Sequence, residues 1–424
     1  MKKNLVYLPY GRGTLTYEIS ENPSRYQLIQ PNCELPRVRN SREAVQKALA
    51  SPIGVENPWA GVGENTTVAI TVNDKTRPVP NKALLPPLLE VLQTKGVKKE
   101  NITIYIASGT HIPMEKDEFH LILGDEIPQQ LSVIPHNCDD ENNLCVIGTT
   151  FRNTPVLVNR GFYECDLKIV VGDIEPHHFA GYSGGVKSAA IGLSGRKTIN
   201  TNHKLLLDEN SVIGCFQQNP LRQDIEDIGS LMKIDLALNA VLNQQKEILA
   251  VFFGKPDAVM KAGIQVVDQI SRIPISHAYD IVIASAGGYP KDINLYQAQK
   301  AMTHASLFCK PGGVIVLIAE CEEGVGSNGY LEFMRGVRNI REVIEKFTRS
   351  EFMVGPHKAF QIAKILQKHQ VFLFSSIPAR QVESLLLKPL TSLQEVQNLV
   401  NQHPGAEIAL IPYATACIAA YKKE

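Results

Sequence analysis

Residues 66–111 leave little choice of fold. Residues 66–72 are rich in β-branched side chains and end in Asn73-Asp74; Pro78 and Pro80 then interrupt the chain before an apolar-periodic stretch over 81–94 that closes at Gly96. This pattern reads as strand, loop and helix with a glycine at the helix C-terminus. A second apolar run over 102–107 is broken by Ser108-Gly109-Thr110-His111. Strand, helix and strand in that order require a crossover and so a parallel pair. A third buried strand over 167–171 runs into Gly172-Asp173-Ile174-Glu175. Asp74, Arg77, His111 and His177 then fall just past the C-terminal ends of strands, the edge at which open parallel sheets place ligands. Singly, Asp74 reads as a turn or cap, Arg77 as a surface charge and His111 as a loop histidine. Their arrival at one edge from three strands marks a candidate site.

A second α/β pattern starts with a short apolar strand over 280–284, then Gly287-Gly288-Tyr289-Pro290 and a helix over 294–308. Strands over 314–319, 371–374 and 408–411 follow, with helical patterns over 331–347, 357–368 and 391–402. Between the two patterns, residues 204–270 read as mostly helical, with one strand at 250–253 and a helix over 257–270 leading to Arg272-Ile273-Pro274. The expected fold is α/β in two domains, 1–270 and 271–424. Each has a largely parallel sheet with flanking helices; the second is Rossmann-like, and the active site lies in the cleft between them. The last segment is expected to pack back on the first domain. Gly287-Gly288 lacks the full Gly-x-Gly-x-x-Gly spacing, so a nicotinamide-dinucleotide site is not supported.

Composition narrows the function classes. At 424 residues the chain is long for one core, and 44% hydrophobic with 20% charged residues is ordinary for a globular protein. The formal net charge of zero suggests neither a nucleic-acid nor a membrane surface. The first residues lack the apolar core of a signal peptide and no run is long enough to span a bilayer, so the expected location is cytoplasmic. Eight cysteines are scattered without a Cys-x-x-Cys pair, which suggests small core residues rather than a zinc site or disulfide frame.

The densest chemistry lies in residues 175–203. Two adjacent histidines, His177 and His178, precede Ser183-Gly184-Gly185, then Lys187 and Ser188, with His203 sixteen residues beyond the lysine. The glycines and Ser183 permit a tight turn whose amides can converge on an anion, placing Lys187 beside it as a charge partner or, if desolvated, a nucleophile. A surface loop is the ordinary alternative. A P-loop is excluded because Val186, not glycine, precedes the lysine. On the helix over 294–308, Tyr296 and Lys300 share a face, with Gln297 beside them. This reads either as an ordinary amphipathic helix or as a face presenting a cation to an anionic substrate.

The run His177-x-Phe179-Ala180-Gly181-Tyr182-Ser183-Gly184-Gly185-x-Lys187-Ser188, with Asn202-His203 downstream, resembles the nickel-dependent lactate racemase family. So do Asp74-x-Thr76-Arg77-Pro78-Val79-Pro80, Ala107-Ser108-Gly109-Thr110-His111, and Gly287-Gly288-Tyr289-Pro290 with Tyr296-Gln297-Ala298-x-Lys300. The resemblance spans both expected domains. It implies a racemase or epimerase acting at C2 of a 2-hydroxy acid. The implied cofactor is a nickel pincer nucleotide, pyridinium-3,5-bisthiocarboxylic acid mononucleotide, joined to Lys187 through a thioamide. Ser183, Gly184, Gly185, Ser188 and Asp74 would surround it, with His203 the one protein ligand to nickel. His111 and His177 would be the acid/base pair, and Arg77 and Lys300 would bind the substrate carboxylate, supported by Tyr296 and Gln297. Hydride would pass to the cofactor and return to the other face of the 2-oxo acid. The implied partners are cofactor-assembly proteins, and a homo-oligomer is possible.

Several positions depart from the family pattern: Lys75, His178 and Val186, and residues 354–358, which lack the tryptophan of lactate-active members. Extra polar or cationic groups suit a hydroxy acid longer or more polar than lactate. Two other classes are weighed beside this reading. A nicotinamide-dependent 2-hydroxy acid dehydrogenase would need the dinucleotide fingerprint. A non-catalytic carrier of the nickel nucleotide would need Lys187 and His203 but neither His111 nor His177.

Overall fold

The computed structural model describes residues 5–19, 22–32, 35–350 and 352–421. Cys33 and the first four residues, used in the cysteine and leader readings, lie outside these. Two compact units emerge: Cys33–Ile270, and Met1–Asn32 together with Ser271–Glu424. Among the described residues no helix is long and apolar enough to cross a membrane.

The unit Cys33–Ile270 is built on a six-stranded sheet in the order Ile248–Gly254, Leu236–Leu242, Leu167–Asp173, Val68–Asn73, Ile102–Ala107, Ser132–Pro135. All pairs are parallel except the first, which is antiparallel. Alternate residues Val68, Ile70 and Val72, with Ile102, Ile104 and Ile106, share one core with Leu84, Leu85, Leu88 and Leu92 of the helix Asn81–Thr94. That is the period-two burial of a sheet face meeting the 3.6-residue stripe of a helix. Asn73 lies opposite Ala107, so the two strands end level and Asp74 and Ser108 leave the sheet side by side.

The strand Leu236–Leu242 corrects the helical reading of residues 204–270. Its Leu-Ala-Leu-Asn-Ala-Val-Leu sequence favours helix locally. It runs between two other strands, however, and six of its seven residues are buried, so it shows no apolar–polar alternation.

The second unit carries six parallel strands in the order Lys388–Leu390, Gln370–Phe374, Cys309–Ile318, Tyr279–Ser285, Ile408–Ile411, Tyr26–Leu28. Tyr26–Leu28 comes from the N-terminal segment, which was expected with the first domain. The hairpin Leu5–Tyr10/Gly13–Glu18 joins the same unit: its Val6, Leu8 and Tyr17 pack with Ile281, Ile283, Val316 and Leu410. The terminal strand Ile418–Tyr421 pairs with Arg272–Ile275 inside this unit. The helix expected over 331–347 is two, Asn328–Met334 and Ile340–Arg349. Gly336 takes a positive φ of 76° and Asn339 caps the second helix through the Glu342 amide.

Buried Asp292 ties the hairpin down: its Oδ2 accepts from the amides of Gly11 (2.7 Å) and Glu320 (3.1 Å). Hydrogen bonds to a charged group contribute about 1.5–3 kcal/mol each. Asp292→Ala is therefore expected to lower the unfolding free energy by roughly 3–6 kcal/mol in a denaturant melt; an unchanged midpoint would detach the N-terminal hairpin from this unit's stability.

Candidate active site

Asp74, 4% exposed, follows the strand Val68–Asn73. Its Oδ2 meets His111 Nδ1 at 2.6 Å, and its Oδ1 accepts from the Thr76 amide (3.1 Å) and hydroxyl (2.6 Å). Burial alone would raise this carboxyl. His111, Arg77 and the Thr76 hydroxyl more than offset that and hold it well below the usual carboxylate range. A carboxylate only accepts, so the neutral form of His111 carries its proton on Nδ1 and its lone pair on Nε2. An acid orienting the far nitrogen of an imidazole is the arrangement of a general base. Arg77 Nη1 donates to the Thr76 hydroxyl at 3.1 Å, which keeps its guanidinium beside this pair.

Beyond the buried strand Leu167–Asp173 the chain doubles back, pairing Pro176 with Tyr182 and His177 with Gly181. Ser183 closes the turn. Its amide donates to Glu175 O (2.8 Å), its hydroxyl donates to Asp173 O (3.0 Å), and that hydroxyl accepts from the Glu175 amide (3.0 Å). Gly184 and Gly185 have φ of 85° and 58°. A Cβ on them would lie 2.6 Å from Ile174 Cγ1 and 2.6 Å from Met260 Cγ respectively, so both backbone and space demand glycine. The Gly185 amide donates to Asn239 Oδ1 at 2.7 Å. The amides of Ser183 and Gly185, expected to converge on an anion, thus bind protein acceptors.

Arg222, fully buried on the helix Pro220–Leu231, holds the same turn. Its Nη1 donates to Tyr182 O (2.9 Å), its Nη2 to Gly184 O (3.1 Å) and its Nε to Glu226 Oε1 (2.7 Å). Sequence reasoning missed both Arg222 and Asn239, which lie in the stretch that shows no local motif. Lys187 opens the short helix Lys187–Ala190, and the Ser188 hydroxyl donates to Gly185 O at 3.3 Å. Burial first, then the charges of Arg77 and Arg222, push the Lys187 ammonium down to about 7, against the pull of Glu175 and Asp173. Near neutral pH much of it is an uncharged, nucleophilic amine.

Three histidines gather around Phe179. Its ring centroid lies 4.7 Å from that of His177, 4.3 Å from His178 and 5.2 Å from His203. The Ala180 amide donates to His177 Nδ1 at 3.1 Å, so neutral His177 carries its proton on Nε2, the opposite tautomer to His111. His203 lies in the last turn of the helix Arg196–Lys204 and meets Asn202 Oδ1 through Nδ1 at 3.1 Å. Asn202 Nδ2 donates to Asp224 Oδ2 (2.8 Å) and Leu221 O (3.1 Å), which identifies Oδ1 as the acceptor. The His203 Nε2 therefore holds the lone pair, oriented by a buried chain from Asp224 as metal-binding imidazoles are. Among the described residues no three or more His, Cys, Asp or Glu side chains are placed to hold a metal. A soft metal at His203 would take its other donors from a bound group.

Tyr296, Gln297 and Lys300 belong to the other unit, on the helix Leu295–Ser306. Lys300 Nζ donates to Gln297 Oε1 at 2.7 Å, and the Tyr296 ring lies 6.0 Å from the His357 ring and 4.7 Å from Lys358 Nζ. Gly287-Gly288-Tyr289-Pro290 has a structural role: the Tyr289 amide donates to Gly11 O at 2.8 Å, and a Cβ on Gly288 would lie 3.0 Å from that oxygen. Lys75 forms an ion pair with Glu118, which weakens its case as a substrate cation. A cavity of about 620 Å³ lies beyond the N-terminal ends of the strands, among Asn57, Thr66, Asp166, Asp235 and Lys255; none of the candidate residues lines it.

Residues 10–214 match the lactate racemase N-terminal domain and residues 275–418 the lactate racemase C-terminal domain. Lactate racemase of Lactiplantibacillus plantarum is 30% identical over 96% of this chain and 97% of its own, and that of Thermoanaerobacterium thermosaccharolyticum 29% identical over 97% and 98%. The solved lactate racemase apoprotein of T. thermosaccharolyticum superposes with a TM-score of 0.90 at 28% identity, covering 98% of this chain and 100% of that one. A Thermotoga maritima protein shares the fold alone, with a TM-score of 0.69 at 17% identity over 90% of this chain and 97% of its own. Matched in both halves and over nearly its whole length, the chain belongs to the lactate racemase family and is an isomerase of the racemase class.

Proposed function

We propose that this racemase inverts C2 of a 2-hydroxy acid using a nickel pincer nucleotide bound covalently at Lys187, with His203 as the protein ligand to nickel. The observation that carries the reading is Lys187 itself: a lysine whose amine is substantially neutral near pH 7 can bond to a thioacyl carbon, as an ordinary solvated ammonium cannot. The lone pair at His203 Nε2, aimed by Asn202 and Asp224, fits a soft metal that brings its own sulfur and carbon donors. When bound, the group supplies a hydride acceptor and donor.

The remaining steps fall to the chain. The C2 hydrogen of a carboxylate is barely acidic, so it leaves more easily as hydride once the hydroxyl proton is removed. His111 Nε2 takes that proton, with Asp74 fixing the tautomer and stabilising the imidazolium. His177 serves the other enantiomer. To become an imidazolium it gains a proton at Nδ1 and gives up the bond from the Ala180 amide. Arg77 and Lys300 hold the carboxylate while the carbonyl face turns over. His178 and His357 favour an acid longer or more polar than lactate, although the curated relatives are named for lactate. The protein works in the cytoplasm and receives its cofactor from assembly proteins in this reading.

Intact-mass analysis of cofactor-loaded protein is expected to show an adduct that maps to Lys187 and is lost in Lys187→Ala; equal mass gain and nickel content in the variant would refute the anchor. Asp74→Asn offers His111 an N–H where it needs an acceptor, so the rate is expected to fall about 10²- to 10⁴-fold, like that of His111→Ala or His177→Ala. Near-normal turnover in any of these at full cofactor occupancy would remove that residue from the mechanism. Arg77→Ala, losing a charge-assisted contact of about 1.5–3 kcal/mol, is expected to weaken substrate binding by one or two orders of magnitude. In a panel of chiral 2-hydroxy acids, inversion of lactate faster than every longer or more polar acid would contradict the proposed substrate class.

A further inference from the structure

We propose that Arg222 is the positioning residue of the active-site turn: its guanidinium fixes the direction of Lys187 and keeps that amine ready to react. Four observations carry this. Arg222 is fully buried and donates to two carbonyls of one turn, Tyr182 O and Gly184 O. Those carbonyls flank Ser183 and bracket the entry to the positive-φ pair Gly184-Gly185, whose path delivers the chain to Lys187. Asn239 holds the turn from the opposite side through the Gly185 amide, so the loop is gripped by both its acceptors and its donors. Arg222 is itself held, by Glu226 and by the face of Phe216 with its guanidinium carbon 4.9 Å from the ring centroid. A rigid fork that satisfies two carbonyls at once is a task for arginine rather than lysine.

The second effect is electrostatic. The helix Lys187–Ala190 packs on the helix Pro220–Leu231 and on the strands Val68–Asn73 and Leu167–Asp173. The charged groups acting on Lys187 are Arg77 and Arg222, which disfavour an ammonium, and Glu175 and Asp173, which favour one. Of the other carboxylates there, Asp74 is engaged by His111 and Thr76, and Asp224 by Thr150, Thr154 and Asn202. After burial and Arg77, the buried and permanently charged Arg222 guanidinium adds to the push against an ammonium at Lys187 without consuming a titratable group.

The inference rests on Lys187 being the cofactor anchor, and its test uses the full-length chain made without cofactor. Lys187 is acetylated by p-nitrophenyl acetate: the amine attacks the carbonyl carbon, the C–N bond forms, nitrophenolate leaves and the ammonium proton passes to solvent. The extent is read by peptide mass from pH 5 to 10, with folding checked by thermal melt. The wild-type curve is expected to have its midpoint near 7. Folded Arg222→Gln is expected to shift it to higher pH; a rise of about one unit lowers labelling at pH 7 about fivefold. Arg222→Lys, which keeps the charge but not the two-carbonyl fork, is expected to retain the wild-type midpoint with a lower extent of labelling at the high-pH plateau. A curve for Arg222→Gln that superimposes on wild type, or an equal shift in Arg222→Lys, would overturn the proposal. If Arg222→Gln does not fold, Glu226→Gln decides: stripping Arg222 of its counter-charge is expected to move the midpoint to lower pH, and an unmoved midpoint counts against the role. Failure of the anchor reading is distinguishable, since it appears as loaded protein without an adduct on Lys187.

Discussion

Asn73 sits opposite Ala107 in a parallel register, and the site follows from that pairing. A one-residue slip would turn Val68, Ile70 and Val72 away from the helix Asn81–Thr94, so the apolar face fixes the register. The strands then end level, and the first polar residues beyond them, Asp74 on one side and the Ser108–His111 turn on the other, meet. Their 2.6 Å contact is a consequence of core packing as much as of attraction between an acid and an imidazole. The third strand, Leu167–Asp173, delivers residues 175–187 to the same edge.

The site concentrates charge that a protein interior normally refuses. Asp74 and Arg222 are buried, and Lys187 and Arg77 are partly so. Buried charges persist where they are paired and hydrogen-bonded, and here each has an arrangement of its own. Asp74 is matched by His111 and Thr76, and Arg222 by two carbonyls and Glu226. Lys187 instead yields its proton. The same low-polarity surroundings that make an ammonium costly make an amine available, so one physical effect supports both the fold of the turn and its chemistry. The opposite tautomers of His111 and His177 follow similarly from fixed partners, a carboxylate for one and a backbone amide for the other.

Much of this was legible in the sequence because it was local. The β-branched runs over 66–72 and 102–107, their polar ends, and the histidine-glycine-lysine stretch all announce themselves within a few residues. What was not legible depended on distant partners. The strand Leu236–Leu242 has helix-favouring composition and becomes a strand because two neighbours enclose it. Asn239 and Arg222 carry no motif and matter because they reach Gly185, Tyr182 and Gly184 from 38 to 54 residues away. The N-terminal segment reads as a first-domain beginning but pairs with Ile408–Ile411 near the chain's other end. The Ser-Gly-Gly turn shows the limit from the other direction: its glycines are required as expected, yet two of its amides face protein acceptors.

In the proposed mechanism hydrogen leaves and returns to C2 as hydride while His111 and His177 handle only the hydroxyl proton. The most direct test is inversion of a single enantiomer by cofactor-loaded enzyme in deuterium oxide, with the inverted product analysed for deuterium at C2. The product is expected to keep its original protium at C2, because a hydride held on the enzyme never exchanges with solvent. Inverted product carrying a solvent deuterium at C2 would contradict that mechanism and point to proton abstraction at carbon instead.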